Sequence, residues 1–255
     1  MYELFARGET LPEAYHNALI MLHECHEEMP CPDYNTRQKE ASMTFVVENA
    51  MTEPMISMLF VGDYRSLEQY TQEILDGILD FEVERGNWDY TYHQRMESQL
   101  PWIMDELKRN PDSRRAIISI RNETDMTLAS PACLQSIQFF IRNGRLHCKV
   151  LFRSNDAAKA AFMNAFALIM LQRRIAGLLG VPVGSYTHRA NSFHVYERDY
   201  EMFDGYVRRI SSAGASGQRN LAYDYEGGWD ELMEEARPEI AKMVEEQRRK
   251  GYEGL

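Results

Sequence analysis

A cysteine and an arginine stand at the two ends of a segment that has the pattern of a β-hairpin. Residues 130–156 are SPACLQSIQFFIRNGRLHCKVLFRSND, with Cys133 before the first β-like run and Arg153 after the second. The attacking species of a nucleophilic cysteine is the thiolate, which nearby cations stabilise, whereas a structural thiol needs no such neighbour. A hairpin would bring both residues to one end of adjacent strands. The spacing therefore indicates a nucleophilic thiolate beside an arginine that can also bind an anion.

Two further arginines fit the same anion site. Arg114 and Arg115 stand together in NPDSRRAIISI, at the start of another predicted strand. A guanidinium presents a planar fork of donors that matches the oxygens of a phosphate. The chain contains neither GxGxxG nor GxxxxGK[ST], the glycine-rich motifs that cradle phosphates with backbone N–H groups. A bound phosphate would therefore be held by arginine side chains.

Two other groups of cysteine and histidine residues are better explained by packing than by chemistry. Cys148 alternates with apolar residues in LHCKV and is predicted to be a buried, inert thiol. HECHEEMPC, at 23–31, gathers two histidines and two cysteines, which invites a metal interpretation. Zinc sites usually repeat a closely spaced pair of ligands further along, and no second pair follows here. We therefore interpret this segment as part of an amphipathic helix and expect no metal cofactor.

Composition limits the class of protein. The 255 residues are 44% hydrophobic and 26% charged, which predicts one large domain over residues 1–255 with its own core. The net charge of −11 disfavours DNA or an anionic membrane as the main partner. The start MYELFARGETL lacks the features of a signal peptide, and Arg, Lys or Gln interrupts the longest apolar runs, so no membrane span is expected. With four cysteines and no sign of export, a reducing cytoplasm is the expected compartment.

Hydrophobic periodicity predicts the elements that must position these residues. Helices are expected at about 12–28, 66–79, 99–109, 156–180 and 231–252, with caps at Ser66 and Asp156, closing glycines at Gly77 and Gly180, and a break at Pro238. Strands are expected at about 43–48, 114–120, 136–141 and 146–152, with a turn at Asn143-Gly144 and a strand or junction at 193–200. A flexible loop at about 211–220 precedes the last helix, which is charged and expected to be exposed. Because strands and helices interleave without a strict βαβ rhythm, we predict an α+β fold with a mixed sheet.

Several separated motifs hold the order and spacing of a known family. PDSRR, P-x-C followed by QFF, RS-x-D, an asparagine eight residues after Asp156, and HVY together resemble the folate-dependent thymidylate synthases, in register from about residue 88 to about residue 200. WDYTYHQRM and FHVYERDY are similar to the shorter archaeal-type branch. The resemblance implies a large mixed sheet flanked by helices. It also implies a homodimer in which each active site borrows arginines from the partner subunit.

The resemblance assigns chemistry to two residues. Cys133 matches the nucleophile that adds to C6 of the pyrimidine ring of dUMP, after which C5 attacks the methylene group of the co-substrate 5,10-methylenetetrahydrofolate. Asp156 matches the aspartate that contacts the folate and the ring carbonyl side. The implied substrate-binding residues are Arg153 and Ser154 for phosphate, Arg114 and Arg115 for phosphate across the dimer, Arg37 in a mobile loop, His194 and Tyr196 for the deoxyribose 3′-hydroxyl, Gln138 in QFF, and Asn164.

Asn164 is expected to read the base. An asparagine side chain offers one acceptor and one donor, so it can pair with N3–H and O4 of uracil at once. Cytosine presents the opposite pattern, and the cytosine-specific hydroxymethylases of the family tend to carry aspartate at the matching position. The sequence therefore favours a uracil nucleotide.

The catalytic glutamate of the family is not fixed by the sequence. It should fall on the helix SLEQYTQEILDG or just before it, which leaves Glu53, Glu68 and Glu73 as candidates. Leu134 stands where the bacterial synthases have a histidine after the cysteine, and Phe152 replaces the glutamine before Arg-Ser. Both departures fall at positions that border the folate or support the site.

Three functions follow from these residues. The first is reductive methylation of dUMP to dTMP, with the folate giving the one-carbon unit and a hydride. The second is hydroxymethylation of dUMP, dCMP or CMP on the same scaffold, with water in place of hydride. The third is a nucleotide- or RNA-binding relative that has lost catalysis, against which the intact Cys133 and Arg153 argue.

Overall fold

The computed structural model describes residues 1–213 and 221–250. Its strands are β1 (Glu3–Gly8), β2 (Glu27–Cys31), β3 (Thr36–Val47), β4 (Ile117–Ser119), β5 (Leu134–Arg142), β6 (Arg145–Asp156) and β7 (Val183–Tyr196). Its helices are α1 (Leu11–Glu24), α2 (Tyr64–Asp76), α3 (Phe81–Glu84), α4 (Tyr92–Glu97), α5 (Leu100–Arg109), α6 (Ala161–Leu179), α7 (Tyr200–Ser212) and α8 (Trp229–Lys250).

The strands form a single mixed sheet in the order β1-β3-β7-β6-β5-β4, and β2 also pairs with β3. The β1–β3 and β6–β7 pairs are parallel, whereas β2–β3, β3–β7, β4–β5 and β5–β6 are antiparallel. Alternate side chains of β1 and β6 are buried, because the core packs against one face of the sheet. The predicted α+β fold, a large mixed sheet flanked by helices, is confirmed.

The β5–β6 hairpin forms where its turn residues predict it. Asn143 and Gly144 have φ of 50° and 69°, the left-handed region that both central residues of a type I′ turn occupy. The register then pairs Arg142 with Arg145 next to the turn and Leu134 with Phe152 at the open end. This register fixes which residues of the two strands can meet at that open end.

The two helices that carry site residues differ from prediction at their N-termini. α2 begins after Asp63, whose Oδ1 accepts from the backbone N–H groups of Arg65 (3.1 Å) and Ser66 (3.0 Å). The Ser66 cap was therefore wrong: Ser66 lies in the first turn, where its hydroxyl accepts from Asp63 N–H at 2.8 Å. Gly77 closes the helix with φ of 62°, as predicted.

Asp156 does not cap α6 either. Its Oδ1 accepts from Ala158 N–H and Lys159 N–H, both at 3.0 Å, in a turn that precedes the helix. Gly180 closes α6 with φ of 69°, as predicted. Within residues 1–213 and 221–250, α6 is the one helix long and apolar enough to span a membrane, and 67% of its apolar window is buried inside the protein. Packing of α6 in the core explains that apolar surface.

The predicted helix at 12–28 is too long. α1 ends at Glu24, because Nδ1 of His26 turns back to the carbonyl oxygens of Leu22 (2.9 Å) and His23 (3.1 Å). Residues Glu27–Cys31 instead form β2 against β3. His23 thus lies on α1, Cys31 lies on β2, and Cys25 and His26 lie in the connection between them. No group of three or more His, Cys, Asp or Glu residues suited to a metal ion occurs in the described part of the chain.

The last helix also departs from prediction. Pro238 lies inside α8 and does not break it. One stripe of α8, formed by Ala236, Ile240 and Val244, is buried against Leu79 and Phe81, so the helix is not simply an exposed one. Of the predicted loop at 211–220, residues 211 and 212 belong to α7, and residues 214–220 lie outside the described residues.

A histidine sandwich lies at the centre of the core. The ring of His188, on β7, stacks between Phe45 at 4.6 Å and Phe152 at 4.8 Å, with interplanar angles of 8° and 16°. Its Nδ1 lies 3.0 Å from the Tyr186 hydroxyl and its Nε2 lies 2.9 Å from Asn155 Oδ1. Complete burial lowers the pKa of His188 to about 3. The imidazole is therefore neutral in the folded protein and acts as an aromatic ring with two satisfied polar edges.

This burial predicts a pH-dependent stability. Below the ordinary histidine pKa of about 6.5, the unfolded chain binds a proton that folded His188 cannot take up. The free energy of unfolding should therefore fall as the pH decreases from about 6.5 towards about 3, with a contribution from His188 approaching 1.4 kcal/mol per pH unit, a rough upper slope. Urea titrations between pH 7.5 and 4.5 measure this, with His188→Gln as the matched variant. An equal pH dependence in both proteins would contradict the assignment.

Candidate functional site

Most of the predicted site residues meet at one end of the sheet. Because β6 and β7 are parallel, both end there, and their antiparallel neighbours β5 and β3 begin there. The register places Asp156 opposite His194, and Tyr196 opposite Gln38. The side chains gathered at this end are Arg37, Cys133, Arg153, Ser154, Asp156, His194 and Tyr196.

Cys133 is held against β6 by Arg153. The backbone N–H of Arg153 donates to the Cys133 carbonyl at 2.8 Å. The guanidinium donates through Nε to Ala132 O at 3.1 Å and through Nη2 to Pro131 O at 2.8 Å. These two bonds leave other donors among the five guanidinium N–H groups for an anion. The cysteine and the arginine are therefore neighbours, as the hairpin pattern predicts.

The thiol itself faces a hydroxyl. Cys133 is half-buried, and its Sγ lies 3.8 Å from Ser154 Oγ. The next backbone N–H, of Leu134, donates to the Tyr92 hydroxyl oxygen at 3.3 Å. Hydrogen bonds thus fix the backbone on both sides of Cys133, while the thiol remains partly accessible to solvent.

Asp156, which is half-buried, and His194, which is buried, lie opposite each other on β6 and β7. Burial raises the pKa of Asp156, opposed by the backbone N–H of Lys159 and the charge of His194. Burial lowers the pKa of His194, although Asp156 acts in the opposite direction. His194 Nδ1 lies 3.2 Å from Ser192 Oγ, and its ring packs edge-on to Tyr196 with centroids 4.8 Å apart. The pair therefore places a carboxyl group and an imidazole, both shielded from solvent, at the same end of the sheet.

Arg37 lies at the start of β3, next to the residue that pairs with Tyr196. Its Nε donates to Glu28 Oε1 at 3.0 Å, and this contact raises the pKa of Arg37. The guanidinium is about half exposed at the edge of the site, so it remains charged and open to a ligand.

Asn164 approaches the site from α6. The residue is 8% exposed, and its Oδ1 accepts from the Tyr70 hydroxyl on α2 at 2.5 Å. Burial raises the pKa of Tyr70 well above its usual value, with further contributions from Tyr92, Glu73 and Cys133. The Tyr70 hydroxyl and the Cys133 thiol therefore lie close enough to interact electrostatically.

A cavity of about 140 Å³, here called the tyrosine pocket, opens beside these residues. It is lined by Tyr70, Glu73, Ile74, Leu79, Asp80, Trp88, Tyr90, Thr91 and Tyr92. Burial raises the pKa of Tyr90 and of Tyr92, and proximity to Cys133 raises both further. The tyrosine pocket is therefore an aromatic chamber next to the thiol. The alternating aromatic residues at 88, 90 and 92 are the feature of the sequence that indicates this pocket. The sequence analysis assigned no role in the site to them.

The structure separates the three glutamate candidates. Glu68 is buried against Arg237 of α8, with Oε1 and Nε 2.7 Å apart. Glu53 accepts from Met55 N–H at 3.0 Å and from the Tyr225 hydroxyl at 2.5 Å. Glu73 lines the tyrosine pocket, and burial raises its pKa.

Arg114, Arg115 and Gln138 do not join Cys133 within one chain. Gln138 pairs with Ile117 of β4, and its Nε2 donates to Arg114 O at 3.0 Å. Continued by two residues, this register places Arg115 opposite residue 140 of β5, which is seven residues after Cys133. At about 3.3 Å per residue, Arg115 therefore lies about 23 Å from Cys133 along the strand. Both arginines are exposed, and within the described residues neither guanidinium group makes a hydrogen bond or an ion pair. Gln138 points away from the core, since its neighbours on β5 are buried.

Comparison with known proteins gives a consistent result. The family model described as "Thymidylate synthase" matches residues 63–221. A protein of Methanocaldococcus jannaschii is 33% identical over 185 residues, which are 68% of this chain and 83% of the relative. One of Methanosarcina barkeri is 26% identical over 213 residues, 80% of this chain and 95% of the relative. Both relatives are named "Putative thymidylate synthase".

A solved structure shares the fold. The thermostable thymidylate synthase A from Bacillus subtilis superposes with a TM-score of 0.63 at 19% identity, covering 78% of this chain and 84% of that one. The family match includes every predicted site residue except Arg37, and it ends before α8.

Proposed function

Since this chain belongs to the thymidylate synthase family, we propose that it transfers a one-carbon unit from 5,10-methylenetetrahydrofolate to C5 of dUMP and releases dTMP. The observation that carries the proposal is the position of Cys133, fixed by Arg153 and facing Ser154, at the sheet end that also holds Asp156 and His194. A thiolate with a guanidinium at its side can attack an electron-poor carbon while the cation binds the phosphate of the same substrate.

The nucleotide side follows from these positions. Cys133 Sγ adds to C6 of the uracil ring, and the displaced electron pair gives C5 and O4 enolate character, so that C5 becomes the nucleophile. The free N–H groups of Arg153, with the Ser154 hydroxyl, hold the phosphate. His194 and Tyr196 bind the deoxyribose hydroxyl. The neutral imidazole suits this role, because it can donate or accept a hydrogen bond without a buried charge.

The folate side fits the tyrosine pocket. Rings of Tyr70, Trp88, Tyr90 and Tyr92 line a cavity beside Cys133, and flat heterocycles bind to such rings by stacking. The folate supplies both the one-carbon unit and the hydride. Glu73, on the wall of the same cavity, is the residue we assign as the family's catalytic glutamate. Its raised pKa suits a carboxyl group that gives and takes a proton near neutral pH.

A homodimer completes the site. The sheet face opposite the core carries exposed apolar side chains, including Phe5 (52% exposed) and Ile117 (42% exposed). Pairing of two such faces would cover them and would bring the partner's Arg114 and Arg115 to the phosphate. The distance of about 23 Å between Arg115 and Cys133 of one chain supports sharing across the interface.

The first prediction tests the nucleophile. Cys133→Ser should abolish product formation, because a hydroxyl is far less nucleophilic at neutral pH, and should leave dUMP binding within about tenfold. Mass spectrometry of the nucleotide after incubation with dUMP and methylenetetrahydrofolate measures the product and distinguishes a methyl from a hydroxymethyl group. Cys25→Ser, which changes a half-buried thiol at the end of α1, is the matched control and should retain activity. Normal turnover by Cys133→Ser would exclude this mechanism.

The second prediction tests the shared site. Cys133→Ser and Arg114→Ala should each be inactive alone, whereas subunit exchange between them should restore about a quarter of wild-type activity. After random exchange of equal amounts, half of all dimers carry one chain of each variant, and one of the two sites in such a dimer combines an intact Cys133 with the partner's intact Arg114. Mixing Cys133→Ser with itself provides the background. A mixture that stays inactive, with exchange verified by mass, would argue against arginines shared between subunits.

The third prediction concerns the base. Asn164 can accept from N3–H and donate to O4 of uracil, whereas each unpaired polar group that cytosine leaves costs about 1 to 3 kcal/mol. dUMP should therefore outcompete dCMP about a hundredfold, and Asn164→Asp should erase most of that preference. Competition assays with both nucleotides measure the ratio. If the wild-type protein uses dCMP as well as dUMP, the hydroxymethylase alternative takes first place.

A further inference from the structure

The Tyr70 hydroxyl has a single hydrogen-bond partner in the described part of the chain, and that partner is Asn164 Oδ1 at 2.5 Å. The two residues lie on different helices, α2 and α6, which pack against each other. Burial keeps the Tyr70 phenol protonated by raising its pKa, so the hydroxyl has a hydrogen to donate. The contact therefore joins a donor on α2 to the carbonyl side of the Asn164 amide.

This bond distinguishes the two ends of the amide. With Tyr70 donating to Oδ1, the carbonyl oxygen points towards α2 and keeps one lone pair, while the two N–H donors of Nδ2 point away. In the flipped amide, Nδ2 would donate to Tyr70, and the tyrosine hydrogen would need another acceptor. The Tyr70 hydroxyl makes no other hydrogen bond among the described residues, and a part-buried O–H that loses its acceptor is unfavourable. Tyr70 thus favours one of the two amide orientations.

The orientation of the Asn164 amide matters because uracil and cytosine differ only in the hydrogen-bond donors and acceptors at N3 and at the 4-substituent. A base whose C6 is held at Cys133 presents N3 and the 4-substituent in fixed positions. Uracil then needs an acceptor at N3 and a donor at O4, and cytosine needs the reverse. A freely rotating asparagine can satisfy either base by flipping, whereas an asparagine held by Tyr70 satisfies one.

We propose that Tyr70 is a positioning residue that selects uracil over cytosine by holding the Asn164 amide in one orientation. The inference rests on the proposed function, because it assumes that Asn164 faces a pyrimidine base. Tyr70 does not have to touch the base for this role. It acts through Asn164, and it adds a specificity determinant from α2 to a site built mainly on strands.

The test is the ratio of the dissociation constants of dCMP and dUMP, measured by titration calorimetry without folate. Tyr70→Phe removes one oxygen and keeps the ring in the tyrosine pocket. We expect the ratio to fall about tenfold, the discrimination that one neutral hydrogen bond supplies. The matched control is Tyr206→Phe, which removes the same atom from a half-buried ring on α7 and should leave the ratio unchanged. Thermal melting verifies that each variant is folded.

A double-mutant cycle separates positioning from a general structural effect. In an Asn164→Ala background the amide is absent, so Tyr70→Phe should change the ratio by less than about twofold. An unchanged ratio in folded Tyr70→Phe, or an equal fall in the Asn164→Ala background, would overturn the role of Tyr70. A wild-type protein that converts dUMP but binds both nucleotides equally would also overturn it and would leave the proposed function standing. A wild-type protein that binds neither nucleotide would overturn both.

Discussion

The site depends on one backbone hydrogen bond, from Arg153 N–H to the Cys133 carbonyl at 2.8 Å. It is a bond between β6 and the residue that precedes β5, so it fixes Cys133 to the sheet rather than to a free loop. The Arg153 side chain adds two bonds to the carbonyls of residues 131 and 132, and these are stronger than neutral bonds because the donor is charged. The same guanidinium therefore both orients the cysteine and remains a cation beside it.

Strands and helices supply different parts of the site. Cys133, Arg153, Asp156 and His194 come from strand ends, whose relative positions are set by backbone ladders. Asn164 and the tyrosine pocket come from helices and from the segment between α2 and α4, and their positions depend on side-chain packing. Part of that packing is provided by α8, whose apolar stripe covers Leu79 and Phe81 behind the pocket wall. The family model matches residues 63–221, and α8 begins after that region. The packing of α8 behind the pocket wall is therefore a feature of this chain that the family model does not include.

Local patterns predicted the local structure well, and non-local structure poorly. Asn143, Gly144 and the glycines after α2 and α6 all adopt positive φ, which asparagine and glycine tolerate better than other residues. The hairpin turn and the C-terminal ends of both helices were therefore predicted correctly. The cap of α2 was misplaced because Asp63 and Ser66 belong to one capping box, in which sequence alone does not rank the two.

Within the candidate site, the sequence predicted only contacts between residues on strands that are neighbours in a hairpin. The adjacency of Cys133 and Arg153 followed from the hairpin. The contact between Tyr70 and Asn164 spans 94 residues of sequence and depends on how α2 packs on α6, which no periodicity encodes. The choice of Glu73 over Glu53 and Glu68 likewise required knowing which face of α2 borders the tyrosine pocket. The parallel β1–β3 and β6–β7 pairs, formed by long connections, were also beyond local reasoning.

The position of β7 has a consequence for the order of events during synthesis. β7 is the last strand among the described residues, and it lies between β3 and β6 in the sheet. During synthesis, strands β1–β3 can therefore pair as one unit and strands β4–β6 as another before β7 has left the ribosome. Until β7 arrives, the edges of β3 and β6 that it will cover have unpaired backbone groups, and we call these bare edges. Bare edges readily pair with other chains, so a nascent or truncated protein that ends before β7 presents two of them. Arg37 lies on the first unit and Cys133 on the second, and β7 brings them into one site as it closes the sheet.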